Sequence, residues 1–227
     1  VGCNLDGKND GGIGIDIHGS DTIVTVRNSR IHDYSKVQSE QTIETLIGIR
    51  VHLGAKAFIR NNVIYHCYEN NAVGKETDCG MGIFIKPNSE ASILGNVLWH
   101  CFIQYTGDQN HVATRGDSLI YAPLGTILRH NVLWKNWGEV DRIKGTVTGN
   151  ENLDTDPKLT NFANGDFTLK PDSPCIDKGP PDPQYNDRDG SRNDIGMFGG
   201  HNFIPDGRTP NKPIVLGLDI APIAVPT

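Results

Sequence analysis

The chain has 227 residues, of which 37% are hydrophobic, 7% aromatic and 21% charged, and a formal net charge of −6. That length suits one large domain with its own core. Its 23 Ile and 20 Asn stand against 9 Ala, 7 Glu and 2 Met, beside 26 Gly and 13 Pro; strand and turn formers abound and helix formers are scarce, which excludes a helical bundle or coiled coil and predicts an all-β chain. No run of about 18 apolar residues occurs, so no membrane-spanning helix is expected. The acidic balance also sets nucleic acid aside as a partner, because phosphate neutralisation calls for a basic excess.

In chain order, the sequence opens at Val1 with neither Met nor a signal-like stretch, which predicts a processed protein or an excised fragment. Val1 to Asp6 reads as the end of an earlier structural unit. A repeat then organises the first two thirds. Gly14-Ile15-Asp16-Ile17, Gly48-Ile49-Arg50-Val51 and Gly82-Ile83-Phe84-Ile85 are spaced by 34 residues, and Leu119-Ile120-Tyr121-Ala122 is a weaker fourth copy. Each copy is followed by a second strand ending at Val26, Ile59, Ile93 or Leu128. A third apolar position follows at Ile31, Ile64, Leu98 or Leu133, with Leu5 matching Ile31. Between the second and third strands sit Asn28-Ser29, Asn61-Asn62, Gly95-Asn96 and His130-Asn131, which are turn residues. Each unit therefore reads as three short strands and a longer loop, the loops being Tyr34 to Ile47, Tyr68 to Met81 and Phe102 to Ser118. One unit cannot bury its Ile face alone, so units must stack.

If Ile15 and Ile17 point inward, Asp16 and His18 point outward. Stacking then aligns Asp16, Arg50, Phe84 and Tyr121 in one outward row, and His18, His52, Lys86 and Pro123 in the next. These rows are the one basic concentration in an acidic chain. An outward aromatic row of His32, Tyr65, Trp99 and Trp134 either stacks on sugar rings or is covered by the tail. Five cysteines cannot all pair, and no CxxC spacing marks a metal site. Cys67 and Cys101, three residues past Ile64 and Leu98, are expected as stacked interior thiols.

The GIxI strand followed by an Ile, an Asn turn and another Ile resembles the right-handed parallel β-helix of the pectate-lyase-like superfamily. Asp156-Pro157-Lys158-Leu159, Asn164-Gly165-Asp166-Phe167, Ser173 to Gly179 and Asp189 to Gly196 are similar to the terminal segment of secreted bacterial and archaeal β-helix proteins. The resemblance implies a single-stranded solenoid over residues 1–200 with a C-terminal cap, located outside the cell or on its surface. It also implies a substrate groove along the first sheet, where uronate lyases use a Lys, Arg or His to take the proton α to a carboxylate that a cation or basic group neutralises. On that pattern Lys86 is the candidate base and Arg50 or His52 its neutralising or proton-donating partner. Asp16, His18, Phe84 and Tyr121 would line the groove, and calcium is the cation to test for.

A glycoside hydrolase would instead need two facing carboxylates, drawn from Glu40, Glu44, Glu69, Glu76, Asp78, Asp108 and Asp117. The loop Gln109 to Asp117, with His111 and Arg115, reads as a substrate-contacting lid or a surface excursion. Asp187-Arg188-Asp189-Gly190 has the content of a calcium loop but not the EF-hand register, and reads as a turn with Arg192 bonded to nearby acids. Residues 201–227 are Pro-rich, and Ile214 to Ile220 reads as one extended strand, either opening a following β module or packing along the solenoid. Two functions follow: a polysaccharide-interacting protein with lyase chemistry, or a non-catalytic adhesive module or self-assembling filament subunit.

Overall fold

The computed structural model describes residues 4–6, 12–33, 35–38, 46–71, 81–99, 101, 103–105, 120–134, 143–149 and 151–201. Among these the chain is all-β, and its helical content is two single-turn 3-10 helices, Phe162–Asn164 and Pro183–Tyr185. After β1 (Asn4–Asp6), one unit holds β2 (Gly12–His18), β3 (Ile23–Arg27), β4 (Arg30–His32) and β5 (Ser35–Gln38). The next holds β6 (Leu46–His52), β7 (Lys56–Arg60), β8 (Val63–Tyr65) and β9 (Tyr68–Asn71), and the third β10 (Met81–Ile85), β11 (Glu90–Leu94), β12 (Val97–Trp99) and β13 (Ile103–Tyr105). A longer β14 (Ile120–Arg129), β15 (Val132–Trp134) and β16 (Ile143–Thr148) follow, then β17 (Leu159–Asn161) and β18 (Asp166–Leu169).

Like strands pair with like, in parallel. Sheet order is β1-β4-β8-β12-β15 in one sheet and β5-β9-β13 in another. The largest sheet runs β2-β6-β10-β14-β11-β7-β3, because β14 spans both of the first two strand positions, and β16 pairs with it. The registers are those of the repeat. Ile15 faces Ile49 and Ile49 faces Ile83; Val26, Ile59, Ile93 and Leu128 form a second row; Leu5, Ile31, Ile64, Leu98 and Leu133 form a third. Most of these side chains are fully buried in one continuous cluster, and each contributes about 1.5–3 kcal/mol of hydrophobic stabilisation. The glycine of the repeat is a packing requirement, since a Cβ on Gly48 would lie 2.6 Å from the carbonyl oxygen of Gly82 and 2.9 Å from Ile64 Cγ2.

One expectation is corrected. Each of the first three units carries four strands, because β5, β9 and β13 lie inside stretches read as loop. SKVQ and YENN show no apolar alternation and IQY is too short to set a period, so periodicity does not reveal these pairings.

The Asn turns do more than bend the chain. Asn28, Asn61, Gly95 and His130 take the left-handed conformation, with φ of 49°, 52°, 67° and 54°. The next residue in each unit then points inward, and Asn62, Asn96 and Asn131 are fully buried. Asn62 and Asn96 each donate Nδ2 to the side-chain oxygen of the next rung, at 2.9 and 3.0 Å, and to main-chain carbonyls of their own and the preceding unit. Asn131 continues the ladder to Asn152 at 3.0 Å. At the other end the Ser29 amide donates to Asn62 Oδ1. These buried amides are satisfied by one another, as buried polar groups must be.

Residues 151–201 lie along the outer face of β4-β8-β12-β15. Leu153 pairs with Val132, the antiparallel β17–β18 hairpin follows, and Phe167, Cys175 and Ile195 pack on Val63, Tyr65, Val97, Trp99 and Val132 in a second core. Asn28 Nδ2 donates to the carbonyls of Met197 and Gly199, and Asn61 Nδ2 to those of Asp194 and Gly196. Gly199 is tight here, because a Cβ would fall 2.0 Å from Asp194 O. Arg192 is not bonded to acids as expected: its Nε donates to Gly179 O at 2.8 Å. The neighbouring acids are occupied, since Asp187 accepts from the amides of Asp194 and Gly200, and Asp194 from that of Asp177.

Candidate functional site: a charged ladder on the first sheet

β2, β6 and β10 present the outward rows that the alternation requires. Asp16 is in register with Arg50, Arg50 with Phe84, and Phe84 with Tyr121, while His18 faces His52. The Lys86 amide donates to Val51 O just beyond the strand, so Lys86 follows His52 in the second row. The side chains of Tyr121 and Glu69 are outside what the structure describes, as are the other carboxylates considered for a hydrolase and His111 and Arg115. So are Cys3, Cys79 and the tail residues 202–227.

Within the ladder the charges sort themselves. Arg50 donates Nε to Asp16 Oδ1 at 2.8 Å and Nη2 to Oδ2 at 2.6 Å, a bidentate pair. That bond to Arg50 is the main reason the Asp16 carboxyl is held below its usual pKa and the Arg50 guanidinium above its own. His52 Nε2 lies 3.0 Å from Asp16 Oδ1, near enough for charge attraction but out of line for a hydrogen bond. The His18 and His52 rings are 5.4 Å apart. Lys86 Nζ sits 5.6 Å from the centre of the Phe84 ring and has no carboxylate partner among the described residues. One face thus carries a saturated Arg–Asp pair, two imidazoles and an ammonium poised over an aromatic ring.

The aromatic row has a different fate. His32 stacks on Tyr65 at 4.8 Å with planes 2° apart, Tyr65 on Trp99 at 6.0 Å, and Trp99 on Trp134 at 5.8 Å. His32, Tyr65 and Trp99 are buried. Among the described residues their cover comes from the terminal segment: Phe167 lies 5.5 Å from Tyr65, and Phe162 meets Trp99 edge-on at 4.3 Å. At the Trp134 end the row opens into a cleft of about 420 Å³, whose lining includes Lys158, Phe162, Lys170 and Asp172.

Beside this row stands a group the sequence reading did not single out. Asp33 accepts from His32 Nδ1 through Oδ2 at 2.6 Å and from His66 Nδ1 through Oδ1 at 2.9 Å. Both Asp33 and His66 are left-handed, with φ of 59° and 54°. The signal was available, because one repeat step carries Asp33 to His66. The cleft carried no such signal: Lys158, Lys170 and Asp172 come from outside the repeat.

Cys67 and Cys101 are buried thiols in the main core, as expected, with Sγ donating to the carbonyls of Tyr65 and Trp99. Burial raises the Cys175 thiol to about 11. Among the described residues no three His, Cys, Asp or Glu side chains converge to hold a metal ion. In the turn Asp187 to Gly190, Asp187 braces main-chain amides and Asp189 accepts from the amide and hydroxyl of Ser191. No helix of the described residues is long and apolar enough to cross a membrane. Compared with known proteins, the chain matches no family model, no curated protein and no solved structure.

Proposed function

We propose that the stacked units wind into one right-handed parallel β-helix of the pectate-lyase-like kind, and that the outward face of β2-β6-β10 binds an acidic polysaccharide outside the cell or at its surface. The observation that carries the binding reading is Lys86, an ammonium with no carboxylate partner among the described residues, seated over Phe84 in a ladder with Arg50 and two histidines. A chain of charged sugars has a repeating spacing and so suits a ladder of like positions. Arg50, clamped by Asp16, presents its guanidinium in a fixed orientation.

The catalytic version is a β-elimination. In this version Lys86 acts as the neutral amine: its lone pair takes the proton α to a uronate carboxylate, leaving Lys86 as the ammonium, and the C–H electron pair forms the new C=C bond. The glycosidic C–O bond breaks with its pair on the leaving oxygen, which His52 protonates, while Arg50 offsets the carboxylate charge. The competing reading is a non-catalytic adhesive or self-assembling module, and the pairing of Arg50 with Asp16 favours it, because a guanidinium whose charge is already matched has less to offer a substrate.

One experiment separates these readings. Absorbance of unsaturated product is followed on alginate, pectate and glycosaminoglycans, with and without calcium, alongside affinity electrophoresis in the same polymers. Retardation together with product that falls about 100-fold or more in Lys86→Ala supports the lyase. Retardation without product supports the adhesive module. Neither retardation nor product removes the polysaccharide reading.

A further inference from the structure

We infer that the cleft at the end of the aromatic row is a second saccharide site, which takes an uncharged pyranose unit on the Trp134 indole. A pyranose has an apolar C–H face and a rim of hydroxyls, so its binding calls for a flat aromatic floor edged by charged donors and acceptors. The cleft supplies these. Trp134 ends the aromatic stack: one side of its indole lies on Trp99, 5.8 Å away with planes tilted by 25°, and Trp134 is half-buried and lines the cleft, whereas Trp99 is buried. Phe162 stands at 86° to Trp99 and forms a wall. The volume of about 420 Å³ lies within the range of small-ligand sites.

The polar edge is drawn from the terminal segment. Lys158 Nζ and Asp172 Oδ2 form an exposed ion pair at 2.6 Å, and Asp156 accepts from the Lys158 amide at 2.8 Å, which braces the main chain that carries this edge. Lys170 lines the same cleft without an ion-pair partner among the described residues. The lining holds two carboxylates, Asp156 and Asp172, and two ammoniums, Lys158 and Lys170, which leaves no net charge to attract an acidic sugar and favours hydroxyl recognition. The pair Lys158 and Asp172 offers a donor and an acceptor side by side, the pattern that vicinal hydroxyls accept and donate to.

This site is independent of the Lys86 ladder, and each can fail alone. Intrinsic tryptophan fluorescence of the full chain is titrated with cellotriose, maltotriose and mannotriose, with trigalacturonate as the acidic control. The expected result is saturable change with at least one neutral trisaccharide and a response to trigalacturonate at least 10-fold weaker. Trp134→Ala is expected to abolish the response, Trp134→Phe to retain part of it, and Lys170→Ala to weaken it about 3-fold, with circular dichroism of each variant as the check on folding. If Trp134→Ala loses its fold, the Phe and Lys170 variants carry the test. The response is expected to persist in Lys86→Ala; its loss there would assign it to the ladder and overturn the second site. No response to any neutral trisaccharide, or an equal response in Trp134→Ala, would overturn it as well.

Discussion

The outward faces of two parallel sheets, built by the same repeat, have opposite surroundings. On β4-β8-β12-β15 the outward residues are Val63, Tyr65, Val97, Trp99 and Val132, and residues from the terminal segment bury them in a second core. On β2-β6-β10 they are Asp16, His18, Arg50, His52, Phe84 and Lys86, and Asp16 and His18 stay exposed. The inward faces hardly differ, since both are rows of Ile, Leu and Val. What decides whether a face becomes structure or surface is the composition of alternate positions: an apolar outward row recruits cover, and a charged one repels it, because burying charge without full pairing is costly. The covered face serves stability and the open one is where chemistry can be presented.

The largest expected effect breaks the cover. Phe167, 1% exposed, packs on Tyr65 and lies under the Arg30 guanidinium at 5.1 Å; Phe167→Ala is expected to cost about 3–5 kcal/mol, seen as a lower Tm and as dye binding to the unveiled aromatic row. Next comes the attachment of the cover. Asn61→Ala removes the donor to Asp194 and Gly196 carbonyls without touching either sheet face, and a loss of about 2 kcal/mol is expected in denaturant melts.

A smaller effect is set by pH. Desolvation raises the Asp187 carboxyl to about 6. Its folded value exceeds the unfolded one, so its contribution favours the fold fully below about pH 4 and is lost as pH rises through 6. Amides of Asp194 and Gly200 are expected to exchange more slowly, after correction for intrinsic rate, at pH 5 than at pH 7.5, and Asp187→Asn should flatten that difference.

The smallest effect belongs to the open face. Asp16 has its pKa lowered chiefly by Arg50, so its contribution is present above the usual carboxylate value and disappears as pH falls through its lowered one. Because the pair is partly exposed, Arg50→Ala is expected to cost less than about 1 kcal/mol, while moving the Asp16 titration upward in an NMR pH series. A large stability loss on Arg50→Ala would collapse the contrast between the two faces.

Much of this contrast was legible beforehand. The spacing of 34 placed Asp16, Arg50 and Phe84 in one row and gave the register of Ile64 with Leu98, because side-chain alternation and stacking are properties of local pattern. The strands β5, β9 and β13 were not legible, since their pairing uses main-chain groups that every residue possesses. Nor was the cover over Tyr65 and Trp99, where Phe162 and Phe167 arrive from beyond the repeat and meet partners 63 and 102 positions away. The Asp16–Arg50 clamp lies between: the row was readable, but that its two members satisfy each other depends on rotamers.

The asparagine ladder has a consequence for how this chain tolerates change. Its rungs are separated by 34 residues from Asn62 to Asn96 and 35 from Asn96 to Asn131, yet only 21 from Asn131 to Asn152. The alignment is therefore checked at one corner and is indifferent to how much sequence is spent between checks. A slip of a single residue would strand a buried amide and be rejected, whereas an insertion elsewhere in a unit leaves every rung in place. Segments between rungs are thus interchangeable parts, and diversity in what the molecule displays can accumulate without renegotiating how it stacks.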